Sequence, residues 1–268
     1  MQAKPRLPDD RVNLPDSHPL ADAAQLIAAV AALGLLAFVA IAFFVDAVLW
    51  LLPPQTEAEL AGKLWWVAAD DATKDERTDE LQALVTALAK GWPENPYTLR
   101  VRIVESDEPN AFAAPGGMVL VTDGLLDMAQ SENELAFVLG HEIGHFRGRD
   151  HLRGLGRGVL FQMLLASVGV GGGDATLLGQ TGLLATLSFN RDQERDADSF
   201  GLDLLQRRYG HVAGAGVFFE RMAAEDPTAA AVPAFVSTHP DLRERVHAVH
   251  TLAQQRGYAT EGELRPKL

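Results

Sequence analysis

The feature that most restricts how this chain can fold is an apolar run near its N-terminus. Residues Leu26 to Val45 form 20 consecutive positions without a charged residue or a proline. At about 1.5 Å of rise per residue, a helix of this length matches the roughly 30 Å hydrocarbon core of a bilayer. Trp50 and the pair Pro53-Pro54 follow the run, which suits an interfacial residue and a helix end.

The run favours a permanent membrane anchor over two other interpretations. A cleaved signal peptide is not usually preceded by about 25 residues of mixed charge, and no small-residue cleavage site follows the run cleanly. A buried helix of a soluble protein rarely contains 20 uninterrupted apolar residues. We therefore predict an N-terminal tail over residues 1–22, a single-pass transmembrane anchor over 23–52 and a C-terminal domain over 56–268.

The basic residues on either side of the run indicate its orientation. Lys4, Arg6 and Arg11 precede it, whereas Lys63 is the one basic residue within about 20 residues after it. Because basic residues are retained in the cytoplasm, we predict a cytoplasmic N-terminus and a C-terminal domain on the exported, extracytoplasmic side.

Charge and cysteine content exclude several functions. The formal net charge is −13, so we expect no nucleic-acid partner. The chain contains no cysteine, which excludes disulfides, thiol nucleophiles and cysteine-ligated zinc.

The remaining sequence predicts one mainly α domain with a small antiparallel β-sheet, an α+β fold. Ser131 followed by Glu134 is a capping box before an apolar run, so a helix should begin there. The apolar segment 158–189 is interrupted by glycines and predicts a buried helical hairpin, with a hairpin that dips into the membrane as the alternative. Further elements are expected as a long helix over 56–91 and strands over 99–104, 111–114 and 118–122, the last two joined by a hairpin loop.

The chemistry is indicated by the pentapeptide His141-Glu142-Ile143-Gly144-His145. Residues four apart share a helix face, so both imidazoles can reach one zinc ion. Glu142 can then act as the general base toward water. A chance occurrence of the pattern is the alternative, and the context must decide between the two.

A catalytic zinc needs a third protein ligand, and the sequence offers two. His151, together with Gly148, completes a metzincin-like pattern, although no Met-turn is evident. Glu194 offers a carboxylate from a second helix, where Asp198 lies one turn further on the same face. Asp198 could accept the outer N–H of a ligand histidine and fix its tautomer.

Four stretches, in the same order along about half of the chain, carry a resemblance to a known family. They are Asn110-Ala-Phe-Ala-Ala-Pro-Gly-Gly117, Val121-Thr-Asp-Gly-Leu-Leu126 with the segment from Glu134 to His145, Asn190-Arg-Asp-Gln-Glu194-Arg-Asp-Ala-Asp198, and Ser237-Thr-His-Pro240 with Arg245. They resemble the HtpX-type and CAAX-prenyl-protease-type zinc metallopeptidases, which are gluzincins. Asn190 replaces the usual serine and Asp196 replaces the usual glutamate.

The resemblance implies a zincin-like domain that holds one zinc ion. It implies that His141, His145 and Glu194 bind the metal and that Glu142 activates water. His239 is the candidate donor to the developing oxyanion, and a latch that blocks the metal is its alternative role.

Substrate binding is expected along a strand edge, where backbone pairing gives affinity without requiring a particular substrate sequence. Asn110, Ala113 and Ala114 are the candidate residues there, together with Arg245. We thus expect a membrane-anchored metalloendopeptidase that cleaves unfolded or extended proteins in quality control. A catalytically silent zinc-binding chaperone or scaffold, a metzincin with His151 as a ligand, and an interaction protein with incidental histidines are the alternatives.

Overall fold

The computed structural model describes residues 19–59, 76–167, 189–224, 235, 239 and 241–268. The chain divides into two compact units, Met1–Phe44 and Val45–Leu268. Helix α1 runs over Pro19–Leu51, and apolar side chains such as Leu26 and Phe43 are largely exposed on it. It is long and apolar enough to cross a membrane, with a mean hydropathy of 2.8 over an 18-residue window, and is compatible with the predicted anchor. Most of the predicted tail lies outside the described residues.

The three predicted strands are present and form one small sheet. They are β1 (Arg100–Val104), β2 (Ala111–Ala114) and β3 (Met118–Thr122), in the order β1-β3-β2. β2 and β3 form the predicted antiparallel hairpin, and two consecutive left-handed residues, Gly116 and Gly117, close its loop.

The sheet is mixed rather than wholly antiparallel, because β1 pairs with β3 in parallel. The connection from β1 to β2 therefore passes over the end of β3 and the start of the next helix. Gly124 makes this passage possible: it donates to Ser106 at 2.9 Å, and a Cβ there would lie 2.2 Å from the carbonyl oxygen of Asp107.

Helices make up most of the rest of the described chain, which confirms the α+β class. The predicted helix over 56–91 is helical at residues 54–59 and in α2, and residues 60–75 lie outside the described part. Of the predicted apolar hairpin, α5 covers the beginning, and residues 168–188 are not described. The helices after α1 are α2 (Glu76–Ala89), α3 (Asp123–Met128), α4 (Glu132–Gly148), α5 (Asp150–Ser167), α6 (Arg191–Tyr209), α7 (Val217–Ala224) and α8 (Leu242–Gln255).

The close packing of α4 against α6 builds the centre of the domain. A Cβ on Gly144 would lie 2.6 Å from Cα of Ala197, and one on Gly140 would lie 3.1 Å from Cα of Gly201. Small residues therefore let the two backbones approach. The faces that carry the histidine pair and Glu194 are thereby brought together.

Candidate metal centre

Side-chain caps fix where the two central helices begin. Ser131 accepts from the backbone N–H of Glu134 at 3.2 Å, so α4 begins at Glu132, as predicted. Asn190 caps α6 in the same way and forms a full capping box with Gln193. The asparagine that replaces the usual serine therefore preserves the cap, because both side chains accept from the first-turn N–H groups.

Three buried side chains from these helices converge on one point. Nε2 of His141 and Nε2 of His145 are 3.1 Å apart. The Glu194 oxygens lie 3.6 Å from the first nitrogen and 3.5 Å from the second. Two ligands of a tetrahedral zinc ion, with bonds of about 2.0–2.1 Å, stand roughly 3.3–3.4 Å apart. The two nitrogens and the two carboxylate oxygens are therefore spaced closely enough for one shared ion.

Two further carboxylates set the histidine tautomers. Asp198 lies 2.9 Å from Nδ1 of His141, as the sequence predicted for this residue. Asp150 lies 3.1 Å from Nδ1 of His145. A carboxylate beside Nδ1 favours the proton on that nitrogen, so the neutral ring of each histidine would present its Nε2 lone pair toward the other histidine and Glu194. Two lone pairs and a carboxylate held this closely could bind one cation.

Asp150 was not identified from the sequence, although one signal for it exists. A Cβ on Gly148 would lie 2.5 Å from Oδ2 of Asp150, so the glycine leaves room for this carboxylate to reach His145. Gly148, which creates the metzincin-like pattern, is thus explained without His151. His151 itself lies apart from the point where His141, His145 and Glu194 converge. Its Nε2 is 3.5 Å from Glu57 and its Nδ1 is 3.5 Å from the carbonyl oxygen of His145.

His239 lies closer to the histidine pair than an oxyanion donor requires. Its Nδ1 is 3.2 Å from Nε2 of His141 and 3.1 Å from Oε1 of Glu194. Together with His145, these residues form a buried group whose ligand atoms all lie within 4.8 Å of one another. In this conformation His239 therefore stands where a fourth ligand would bind.

Arg245 contacts the site's own carboxylates rather than an open surface. It is 4% exposed, and its guanidinium makes two bonds to Asp198, of 2.8 and 2.6 Å. It also contacts Glu194 and lies 4.4 Å from the centre of the Phe219 ring. The sequence suggested substrate binding for Arg245. The structure shows it satisfying two buried carboxylates, which need a cation at this depth.

Glu142 lies between the metal group and the edge of the sheet. Its Oε2 accepts from the backbone N–H of Ala113 at 2.9 Å. Its Oε1 lies 3.5 Å from Nε2 of His239, and neither atom has a hydrogen-bond partner among the described residues. Burial raises the pKa of Glu142 above its ordinary value. A free oxygen with raised basicity is suited to accepting a proton.

The other predicted substrate-binding residues lie on β2 or, in the case of Asn110, directly before it. Asn110 accepts from the backbone of Thr122 at 2.9 Å, and alternation along the strand then turns the polar groups of Ala114 toward β3 as well. Ala113 turns its N–H the opposite way, toward the metal group. The outer edge of β2 is thus directed at Glu142.

The buried surroundings shift the pKa values of the three proposed ligands in different directions. Burial, with a contribution from Arg245, lowers the pKa of His141 to about 3 and keeps its ring neutral. Burial also disfavours protonated His145, but hydrogen bonds to Asp150 and Glu194 outweigh it and raise its pKa to about 9. The pKa of Glu194 lies well below its ordinary value, because His239 and His145 outweigh the effect of burial.

This geometry and the sequence comparisons agree. Residues 74–253 match the sequence profile described as Peptidase family M48. The chain belongs to peptidase family M48. M48 metallopeptidases are zinc-dependent, and the buried ligand group described above is of the kind that binds zinc. The resemblance to HtpX-type zinc metallopeptidases is thus confirmed.

Several curated M48 relatives are similar over a little more than half of the chain. Mitochondrial metalloendopeptidase OMA1 of Schizosaccharomyces pombe is 34% identical over 153 residues, which are 56% of this chain and 45% of that protein. The beta-barrel assembly-enhancing protease of Escherichia coli K12 is 30% identical over 168 residues, 57% of this chain and 34% of the relative. Metalloprotease LoiP of the same bacterium is 29% identical over 154 residues, 55% of this chain and 60% of the relative. The chain thus covers less than two thirds of each relative's length.

Proposed function

We propose that this chain is a membrane-anchored zinc metalloendopeptidase in which His141, His145 and Glu194 hold the metal. The observation that carries the proposal is the convergence of two oriented imidazoles and a carboxylate beside Glu142, which has one unpaired oxygen. A scaffold that only bound zinc would have no need of a buried base next to the metal. The proposal therefore favours an enzyme over the catalytically silent alternative.

The residues divide the work of peptide hydrolysis. A bound zinc would supply a Lewis acid that polarises the scissile carbonyl and makes water acidic near neutral pH. Glu142 removes a proton from the attacking water and returns it to the leaving amine. Arg245 and Asp198 hold Glu194 and His141 in place, as their direct contacts indicate.

We assign His239 a gating role in the conformation described. Because its Nδ1 stands among the ligand atoms, it would occupy the position that water and substrate need. The oxyanion-donor role expected from the sequence requires the ring to leave that position. In that open state, its Nε2, now beside Glu142, could donate to the substrate.

The substrate class follows from the edge of β2. An extended peptide could pair there with backbone groups such as the N–H of Ala113, once Glu142 releases it. Such pairing accepts any sequence in extended form, which suits unfolded proteins. Two of the relatives carry the names beta-barrel assembly-enhancing protease and metalloendopeptidase, which agree with a role in protein quality control. We propose that α1 anchors the domain on the exported side of the membrane.

The test uses the full chain purified in detergent, with zinc content and cleavage of unfolded casein measured on the same sample. We expect close to one zinc per chain, and cleavage that a chelator abolishes and added zinc restores. The Glu142→Gln variant should keep its zinc, and its rate of casein cleavage should fall by at least about 100-fold. Zinc binding without cleavage in both the unsubstituted protein and the His239→Ala variant would favour the scaffold instead.

A further inference from the structure

The end of α1 is tied by arginines to the region that follows the metal-binding helix. Asp46 is the first charged residue after the apolar run, and it pairs with Arg153 at 3.2 Å and with Arg157 at 3.0 Å. Arg149 donates to the carbonyl oxygens of Leu49 and Leu52, at 2.5 and 2.8 Å. These carbonyls belong to the unpaired C-terminal end of a helix, where a cation is stabilising.

Arg153, which pairs with Asp46, also contacts a residue beside the metal group. Nη1 of Arg153 lies 3.1 Å from Oδ1 of Asp150, and Oδ2 of Asp150 lies 3.1 Å from Nδ1 of His145. Gln193 donates to Oδ1 of Asp150 at 2.7 Å. An unbroken series of polar contacts thus runs from Asp46 through Arg153 and Asp150 to a metal ligand.

Local backbone geometry makes this series possible. Arg149 ends α4 in the left-handed conformation, with φ of 57°, so the chain turns sharply between α4 and α5. Asp150 is thereby directed back at the helix it follows and is 4% exposed. A carboxylate buried to that extent depends on its cation and donors to stay in one orientation.

We propose that Asp150 is a positioning residue of the metal centre and that Asp46 acts on it through Arg153. The last turns of the anchor helix are then part of the metal site rather than only a tether. This inference rests on the proposed function, because it takes His145 as a ligand of the metal. It adds a residue that fixes His145 and a route from the membrane-proximal helix to the zinc.

The test compares zinc affinity among variants of the full chain in detergent, by competition with a chromogenic chelator. Asp150→Ala should weaken zinc binding about 10- to 100-fold, as loss of a direct histidine partner does. Asp150→Asn should weaken it less, because the amide oxygen still accepts from His145. Asp46→Asn should weaken it about two- to fivefold, the range that partly exposed ion pairs support.

Asp123→Asn is the matched control. Asp123 pairs with Arg77 at 2.9 Å, is partly exposed (28%, against 45% for Asp46), and lies on α3, which carries no member of the ligand group. This variant should bind zinc like the unsubstituted protein. The unfolding temperature of the zinc-free variants separates a general loss of stability from an effect on the metal.

A mutant cycle tests whether Asp46 acts through Arg153. After Arg153→Gln, adding Asp46→Asn should cause no further loss of zinc affinity. Unchanged affinity in Asp150→Ala would overturn the whole inference, and an Asp46→Asn protein equal to its control would overturn the link to the anchor. A protein that binds zinc but cleaves nothing would contradict only the proposed peptidase activity, and one that binds no zinc would overturn both.

Discussion

The close contact between α4 and α6 makes a specific prediction for Gly144→Ala. Carbon atoms in van der Waals contact stand about 3.5–4.0 Å apart. The new Cβ would lie 2.6 Å from Cα of Ala197, so the two helices must separate locally by about 1 Å. Overpacking of this kind costs about 1–3 kcal/mol, while alanine recovers up to about 1 kcal/mol of helix propensity. We expect the free energy of unfolding to fall by about 1–2 kcal/mol.

The same substitution should also weaken zinc binding. His145 lies next to Gly144 on α4 and Glu194 lies on α6, so separating the helices separates two ligands. Functional sites tolerate displacements of about 0.5 Å, so zinc affinity should fall by more than about tenfold. Gly140→Ala is the matched control, because its Cβ would stand 3.1 Å from Gly201 and needs a much smaller shift.

Both variants can be measured in the full chain in detergent. Denaturant unfolding of the zinc-free protein gives the free energy, and chelator competition gives the zinc affinity. We expect Gly140→Ala to stay within about 0.5 kcal/mol of the unsubstituted protein, because its smaller strain is offset by helix propensity. A Gly144→Ala protein with unchanged stability and zinc affinity would refute the argument that the glycine permits the ligand geometry.

Three further predictions concern the ligand set, the gate and the topology. Glu194→Ala should lose zinc and cleavage while His151→Ala keeps both, as measured by metal content and casein digestion; the reverse pattern would restore the metzincin assignment. His239→Ala, assayed at saturating zinc, should cleave faster if the ring is a gate, whereas a fall of about 100- to 1000-fold would assign it to the oxyanion. A reporter that is active only after export, fused at Leu268, should be active, and activity of a cytoplasmic reporter at that site would reverse the orientation.

Local sequence patterns were sufficient for most of the elements and for the histidine pair of the proposed ligand set. The His141 and His145 pair follows from helix periodicity alone, because residues four apart share a face. The start of α4 follows from Ser131 and Glu134, whose capping contacts involve only neighbouring residues. The three strands were predictable for the same reason, since alternation and a glycine turn are short-range signals. The choice of Glu194 as the proposed third ligand needed the family resemblance as well, since spacing alone left His151 as an alternative.

The tertiary structure alone decided which long-range partners complete the site. His239 stands next to His141, 98 residues away in sequence, and Arg245 reaches Asp198 across 47 residues. No periodicity encodes such distances, because they depend on how separate helices pack. Asp150 is close in sequence to His145, yet its role depends on the left-handed turn at Arg149 and on the space left by Gly148. The sequence by itself determined the helix that presents the histidines. The packing of α4 against α6 determined the arrangement of the proposed metal site, because buried carboxylates and imidazoles are oriented by the partners that the fold brings to them.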